Sequence, residues 1–170
     1  MKQAMIDTMR KPKHDHFDTP DYAVFPLMPH IPKGRIVWEP TDTTGKSNIS
    51  AALKNHGCEV VSTSKKEFDF LTDTPGFDFD YIITNPPYTL KDRFIERCYE
   101  LKKPWALLLP LTALEGVKRG KLFGEHGLEL MVLNRRVEFT GGSVWFPVGW
   151  FCYRILSDQL MFAEIEKRKK

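Results

Sequence analysis

The chain has 170 residues, a length that predicts a single domain with one hydrophobic core and no large second domain. Hydrophobic residues make up 42% of the chain, which excludes a disordered polar chain, and no apolar run reaches the length of a membrane span. The net charge of +3 is too small to indicate nucleic-acid binding by itself.

Basic residues cluster at both ends of the chain. Residues 1–16 contain Arg10-Lys11-Pro12-Lys13 and predict a flexible basic arm, and residues 157–170 predict a basic C-terminal helix. These runs could neutralise phosphates, although solvated termini are the commoner explanation of such runs. The first residues carry no apolar signal segment, and three scattered cysteines without Cys-x-x-Cys spacing favour a reducing compartment and no metal site. We therefore expect a cytoplasmic protein.

The first half of the chain predicts a strand, helix, strand unit. Asp18 or Thr19 is a candidate cap for a short helix that ends near Pro26. A buried strand at 35–39 follows, then a loop at 40–47, a helix that Gly57 stops, and a strand at 58–62. Such a unit implies two parallel strands joined by a crossover.

The second half continues the alternation and then changes character. A strand at 80–84 precedes an amphipathic helix with apolar positions at Phe94, Ile95, Cys98 and Leu101. The continuous apolar run at 105–109 is typical of a central parallel strand, and a shorter helix is predicted at 112–124. The remaining strand-like segments are 128–133, 137–140 and 144–156, which predict an antiparallel edge.

The order of these elements predicts the fold class: a doubly wound, Rossmann-like α/β domain with a mostly parallel sheet and an antiparallel edge. In such sheets ligands bind at the carboxyl ends of the strands. Glu39, Ser62 and Asn85 all fall at predicted strand ends. We therefore expect their segments to converge in space.

The tetrapeptide Asn85-Pro86-Pro87-Tyr88 has the most chemical content. An exocyclic amine on a heteroaromatic ring is a poor nucleophile because its lone pair is delocalised into the ring. The side-chain oxygen of Asn85 and the backbone carbonyl of Pro86 could accept hydrogen bonds from such an amine and localise that lone pair. The prolines stiffen the backbone, and Tyr88 offers a flat face for stacking a base. A rigid turn that merely ends a strand is the alternative interpretation.

Around this tetrapeptide the chain resembles the N6-adenine methyltransferases, specifically the small phage and prophage proteins of that family that lack a target-recognition domain. The strongest stretches are 77–88, 94–97 and 106–111, and the resemblance covers about Phe17 to Ile155. It implies methyl transfer from S-adenosylmethionine to the N6 amino group of adenine in DNA, on a methyltransferase sheet. A base in a duplex must be flipped out to reach such a site.

The resemblance also implies roles for residues outside the tetrapeptide. It places the amino-acid end of the cofactor near Thr19, the adenine ring of the cofactor against Asp69 and Phe70, and the target base between Tyr88 and Phe139. Glu39, Pro40, Gly45, Ser62 and Asn85 complete the implied cofactor site.

The cofactor loop departs from the family pattern. Thr43 stands where the first glycine of a Gly-x-Gly loop is expected, and Ser62-Thr63-Ser64 lacks the acidic residue that normally holds the ribose hydroxyls. A catalytically silent relative that binds nucleic acid or a partner is therefore the second hypothesis.

The same loop is also compatible with a different chemistry. Pro40-x-x-x-x-Gly45-Lys46-Ser47 is one glycine short of a phosphate-binding loop, which would indicate nucleotide hydrolysis.

The tetrapeptide is also compatible with RNA adenine or a protein glutamine as the methyl acceptor, and DNA ranks ahead of these alternatives only because the resemblance implies it. Sequence recognition on a nucleic acid would have to come from the segment 137–150, from the basic termini, or from a second subunit in a homodimer.

Overall fold

A computed structural model describes residues 18–139 and 146–166; the predicted basic arm at 1–16 lies outside these ranges. The strands are, in chain order, β1 (Ile36–Glu39), β2 (Glu59–Ser62), β3 (Tyr81–Thr84), β4 (Trp105–Pro110), β5 (Glu129–Leu133), β6 (Val148–Tyr153) and β7 (Leu160–Ala163). The α-helices are α1 (Asp21–Val24), α2 (Asn48–His56), α3 (Lys91–Glu100) and α4 (Val117–His126), with short 3₁₀ helices at Phe25–His30, Tyr88–Leu90 and Leu111–Leu114. None of the helices in the two described ranges is long and apolar enough to cross a membrane.

The seven strands form one sheet in the order β2-β1-β3-β4-β6-β5-β7. Strands β1 to β4 pair in parallel, and β5 pairs in parallel with β7. Strand β6 lies between β4 and β5 and is antiparallel to both. The predicted mostly parallel α/β sheet is therefore confirmed, with its antiparallel strand inside the sheet rather than at the edge.

The order in which the chain adds strands to the sheet reverses between β1 and β3. From β1 the chain passes through α2 to β2 on one side, and from β3 it passes through α3 to β4 on the other side. Because parallel crossovers are almost always right-handed, these two helices are expected on opposite faces of the sheet. Such a reversal opens a crevice at the carboxyl ends of the two strands, where Glu39 and Thr84 lie.

A cluster of aromatic rings fixes the end of β1. Trp38 is fully buried, and its indole Nε1 donates a hydrogen bond to the hydroxyl of Thr63 at 2.9 Å. Four phenylalanine rings lie with their centroids 5.0 to 5.5 Å from the Trp38 ring: Phe68, Phe70, Phe77 and Phe79. Edge-to-face pairs at such distances add stability beyond that of area burial alone. The next residue along β1, Glu39, is therefore presented from a rigid base.

The predicted elements after residue 110 need correction. The helix predicted at 112–124 is split by Gly116, with φ of 141°, into a 3₁₀ helix and α4. No strand forms at 137–139, and Thr140 of that predicted segment lies outside the described residues. Within the described part of the strand predicted at 144–156, only β6 forms, and Val144 and Trp145 lie outside the described residues.

The basic C-terminal helix predicted at 157–170 is wrong for the part that the structure describes. Residues Leu160–Ala163 form β7 and hydrogen-bond to β5 as a parallel strand. Leu160 and Phe162 are exposed while Met161 and Ala163 are half-buried. This two-residue alternation is typical of a strand with one covered face, and pairing with β5 outweighs the weak helical pattern.

Gly149 in β6 has a measurable packing role. A Cβ at this position would lie 2.8 Å from the backbone oxygen of Met131 and 2.9 Å from the Leu111 side chain. We expect Gly149→Ala to lower the free energy of unfolding by about 1–3 kcal/mol, since a strand backbone cannot yield cheaply. In Gly120→Ala, the control in α4, the Cβ meets nothing within 4 Å, and a gain of about 0.5–1 kcal/mol is expected. Urea unfolding of both variants checks this, and equal effects would contradict the packing.

Candidate functional site

The predicted strand ends meet at the crevice between β1 and β3. The hydroxyl of Thr84, the last residue of β3, donates to Oε1 of Glu39, the last residue of β1, at 2.5 Å. Ser62 at the end of β2 donates to Asp42 in the loop after β1 at 3.2 Å. Asn85 follows Thr84 directly. The structure therefore brings together the three segments that carry Glu39, Ser62 and Asn85.

Glu39 is a buried carboxyl group, only 1% exposed. Its Oε1 accepts from the backbone amide and the hydroxyl of Thr41, both at 3.0 Å, besides Thr84. Its Oε2 accepts from the Ser47 hydroxyl at 3.2 Å. Burial raises the pKa of Glu39 to about 7, although these hydrogen bonds act in the opposite direction. Glu39 thus joins the loop after β1 to the end of β3 through a carboxyl group whose pKa lies near neutral pH.

The loop between β1 and α2 is organised around Asp42, a residue that no sequence motif singled out. Oδ1 of Asp42 accepts from the amide of Thr44 at 3.1 Å, and Oδ2 accepts from the amide of Ser47 at 3.1 Å. Oδ2 also accepts from the hydroxyls of Ser50 at 2.7 Å and Ser62 at 3.2 Å. Burial acts to raise the pKa of Asp42, but the hydrogen bonds, led by that from Ser50, outweigh it and lower the pKa to about 2. Asp42 is therefore ionised at neutral pH.

The hydrogen bonds to Asp42 argue against the alternative that this loop binds the phosphate of a nucleotide. In such a loop, the backbone amides point at the phosphate of the nucleotide. Here the amides of Thr44 and Ser47 point at the carboxylate of Asp42. An anion of the chain itself occupies the place of the phosphate, and Lys46 is exposed. The geometry therefore disfavours nucleotide hydrolysis.

Two further residues shape the loop between β1 and α2, Gly45 and Ser47. Gly45 adopts φ of 67°, with open space where a Cβ would lie, so the one remaining glycine sits at a left-handed position. Ser47 caps α2, since its hydroxyl accepts from the amide of Ser50 at 3.1 Å. The side chains that hydrogen-bond within the loop are therefore mainly small hydroxyl residues, and Ser62 of β2 donates a hydrogen bond to Asp42.

The Asn85 side chain is buried, with 8% of its surface exposed, and contacts Thr19. Its Nδ2 donates to the hydroxyl of Thr19 at 3.1 Å. Thr19 is itself buried, and its backbone oxygen accepts from Nδ2 of Asn48 at 2.8 Å. The prediction that Asp18 or Thr19 caps α1 is wrong, because the cap position is Pro20 and no side chain caps the helix. The Thr19 hydroxyl contacts Asn85 instead.

The remaining residues of the tetrapeptide continue from β3 into a 3₁₀ helix. Pro86 is buried, Pro87 is half-buried, and Tyr88 begins the 3₁₀ helix at Tyr88–Leu90. The Tyr88 ring lies against Phe146, with ring centroids 5.7 Å apart and planes at 63°. Phe139 is buried, as is Tyr88. The stacking of a base between Tyr88 and Phe139 stays a prediction.

Two clefts adjoin each other at the loop and share Thr41 and Thr43. The larger, of about 280 Å³, contains Thr19, Glu39 and Asn85 in its wall. The smaller, of about 140 Å³, is mainly apolar and contains Pro40, Asp69 and Phe70. The Phe70 ring is stacked on Phe94, with centroids 4.8 Å apart, and Asp69 Oδ1 accepts from the amide of Leu71. Of the predicted cofactor residues, Thr19, Glu39 and Asn85 thus line the polar cleft and Pro40, Asp69 and Phe70 line the apolar cleft. Gly45 and Ser62 line neither.

Sequence reasoning missed several residues of the polar cleft. These are Thr41, Asp42, Ser47 and Asn48, which line it, and Thr84, which hydrogen-bonds to Glu39. The one signal for them in the sequence was the run of hydroxyl, amide and carboxyl side chains between a buried strand and a helix. In the described ranges no His, Cys, Asp and Glu side chains group in a way that could hold a metal ion.

Comparisons with known proteins add little to this geometry. No protein-family model matches the chain, and no curated protein matches its sequence. One similar solved structure is a release-factor-specific protein-(glutamine-N5) methyltransferase from Alicyclobacillus acidocaldarius, with 18% identity, a TM-score of 0.43, and 79% of this chain and 92% of that chain covered. Another is a putative methyltransferase from Thermoplasma acidophilum, with 14% identity, a TM-score of 0.37, and 79% and 73% covered. Because both TM-scores are below 0.5, we base the functional proposal on the residues of the site.

Proposed function

We propose that the protein transfers a methyl group from S-adenosylmethionine to an exocyclic amino group, the N6 amine of adenine in DNA. The observation that carries the proposal is the placement of Asn85. Its amide lies at the carboxyl end of a central parallel strand, it adjoins the backbone carbonyl of Pro86, and its nitrogen is bound by Thr19. The amide oxygen is the side-chain atom of Asn85 that can accept from an amine.

The two clefts suit the two halves of the proposed cofactor. S-adenosylmethionine carries a sulfonium and an ammonium group, and the polar cleft contains the carboxyl groups of Asp18, Glu39 and Asp42 in its wall. Its adenine is flat and apolar on its faces, and the smaller cleft offers the Phe70 ring with the Asp69 carboxyl beside it. The clefts adjoin, and together they reach the range of about 300–1,000 Å³ typical of small-molecule sites.

In the proposed reaction the bound cofactor supplies an electrophilic methyl group. The amine nitrogen forms a bond to the methyl carbon as the carbon–sulfur bond breaks, and the nitrogen then loses one proton to water. The side-chain oxygen of Asn85 and the backbone carbonyl of Pro86 each accept a hydrogen bond from one N–H of the amine. These two hydrogen bonds localise the lone pair and stabilise the charge that develops on nitrogen. Positioning by β3 and the two prolines supplies the remaining acceleration.

DNA is the proposed substrate because of the family resemblance, with RNA adenine and protein glutamine as alternatives. The proposal is tested by incubating the protein with double-stranded DNA and cofactor labelled in its methyl group. We expect label in the DNA, and we expect the demethylated product of the cofactor to inhibit its appearance. Absence of label from DNA under conditions where the cofactor binds would contradict the DNA assignment.

A catalytically silent relative is the second candidate function, and one observation favours it. The cofactor loop is closed on Asp42, whose carboxylate already accepts from two amides and two serine hydroxyls. If this closure prevents cofactor binding, the fold serves only to bind nucleic acid or a partner. Calorimetric titration with S-adenosylmethionine separates the two candidates. Binding at micromolar cofactor supports the enzyme, and no heat at millimolar cofactor supports the silent relative.

A further inference from the structure

Two adjacent arginines follow β5 at the edge of the sheet that carries the proposed active site. Because β6 is antiparallel to both β4 and β5, the carboxyl end of β5 lies at the same edge as the carboxyl ends of β3 and β4. Arg135 and Arg136 come directly after Asn134, which follows the last residue of β5. We call these two residues the arginine pair. The pair therefore belongs to the same edge as Asn85, which follows β3.

The distance between the arginine pair and Asn85 suits a macromolecular substrate rather than the cofactor. In the order β3-β4-β6-β5, three strand spacings separate β3 from β5, which is about 14 Å at about 4.8 Å each. Thr84 is level with Leu130 across β4 and β6, so β5 runs three residues past the end of β3, about 10 Å. The pair thus stands to one side of the site and beyond the end of β3. A lateral distance of about 14 Å corresponds to about four base pairs along a DNA duplex.

Hydrogen bonds fix the backbone on both sides of the arginine pair. On one side, Oδ1 of Asn134 accepts from the amide of Ile165, beyond β7, at 2.9 Å. On the other side, the amide of Glu138 donates to the hydroxyl of Tyr22 in α1 at 2.9 Å. Val137, between the pair and Glu138, is fully buried. The pair therefore occupies a short connection whose position is set by α1 and the sheet, so that binding a ligand costs little ordering of the backbone.

Both guanidinium groups of the pair are available to a ligand. Arg135 and Arg136 are exposed, and neither side chain forms an ion pair or a hydrogen bond with another residue in the described ranges. By contrast, Arg97 and Arg119 each form an ion pair and donate to backbone oxygens. A guanidinium group presents a planar set of donors that matches the oxygens of a phosphate. A solvated surface is the ordinary explanation of an isolated charge, but here two charges lie together on a fixed connection at the edge of the site.

We propose that the arginine pair binds the phosphate backbone of duplex DNA while an adenine base occupies the site at Asn85. This inference deepens the proposed function and rests on it for the position of the base. Contacts to phosphates fix the register of a protein on the duplex without reading its sequence. The phosphates of DNA supply the negative charge that the pair lacks within the described fold, whereas a glutamine side chain is neutral.

The test measures how the affinity for DNA depends on salt. Binding of a fluorescein-labelled DNA duplex is followed by anisotropy over a series of NaCl concentrations, with the demethylated product of the cofactor present so that no turnover occurs. Each phosphate contact contributes about 0.9 to the slope of log K against log salt concentration. We expect Arg135→Ala/Arg136→Ala to lower the magnitude of this slope by about 1.8 and to weaken binding at the lowest salt at least about tenfold.

Lys33→Ala/Arg35→Ala is the matched control, since it also removes two positive charges. Both residues are exposed and precede β1, at the opposite edge of the sheet. We expect the wild-type slope in this control. An unchanged slope in the arginine-pair variant, equal changes in the two variants, or wild-type binding that salt does not weaken would overturn the inference.

A transfer assay separates failure of this inference from failure of the proposed function. With labelled cofactor and DNA, we expect the arginine-pair variant to raise KM for DNA about tenfold or more and to change kcat by less than about twofold. If the wild type transfers no methyl group to DNA, the proposed function fails, while the salt slopes still decide whether the pair binds phosphates. If label enters DNA but the slopes of variant and wild type agree, the proposed function stands and the inference about the pair fails.

Discussion

Asn85→Ala is expected to abolish methyl transfer while leaving the fold intact. Removal of one preorganised hydrogen-bonding group from an active site costs on the order of 10²–10³-fold in kcat. A loss of this size should take the rate below detection in a standard labelled-cofactor assay. The Kd for cofactor should change by only a few fold, because the neighbouring cleft residues stay in place. The readout is single-turnover transfer, with circular dichroism to check the fold.

Asn55→Ala is the matched control for this variant. Asn55 lies exposed on α2 and is not among the residues that line the polar cleft. We expect wild-type kcat and wild-type thermal stability in Asn55→Ala. Full activity in Asn85→Ala, or equal losses in both variants, would remove the amide from the mechanism.

Glu39→Gln is expected to change how the stability of the protein depends on pH. The pKa of Glu39 is raised from 4.5 to about 7, mainly by burial. Between about pH 4.5 and pH 7 the folded protein holds a proton that the unfolded chain has already released. The contribution of this proton to the free energy of unfolding is complete below about pH 4.5 and is lost as the pH rises to about 7. Between about pH 5 and pH 8 this amounts to about 2–3 kcal/mol of the free energy of unfolding. Glu39→Gln removes the titration and keeps an oxygen that can accept from the Thr41 amide.

The measurement is urea unfolding of wild type and Glu39→Gln at about pH 5 and pH 8. The wild type should lose more stability over this interval than the variant, by about 2–3 kcal/mol. Asp42 does not interfere, since its pKa is lowered to about 2 and its linked stability changes only at lower pH. The same pH dependence in both proteins would show that Glu39 does not hold a proton in the folded state.

The parts of the fold that could be predicted from the sequence are those with strong local patterns. β1, β3 and β4 are continuous apolar runs with clear boundaries, and α2 ends at Gly57, which adopts the left-handed conformation at its C-cap. Their order alone implies the crevice at Glu39 and Asn85. β7 was missed because four residues of weak alternation are specified mainly by pairing with β5, a tertiary contact.

The organisation of the site was less accessible because its decisive contacts join distant residues. Asp42 meets Ser50 and Ser62, and Thr19 meets Asn85 across 66 positions of sequence. Local rules assign Thr19 to a helix cap, which is the commoner use of a threonine before a proline-led helix. The missing glycine in the cofactor loop indicated erosion from sequence alone, whereas the structure shows a loop closed by hydrogen bonds to Asp42.

The most direct measurement is identification of the methylated product. The protein is incubated with cofactor carrying a deuterated methyl group and, in separate reactions, with DNA, bulk RNA and cell-extract protein, and each product is digested and analysed by mass spectrometry. We predict deuterated N6-methyladenine from DNA, and none in reactions with Asn85→Ala. Label found only in RNA or on protein glutamine would contradict the substrate, and no labelled product from any reaction, with cofactor shown to bind, would contradict methyl transfer itself.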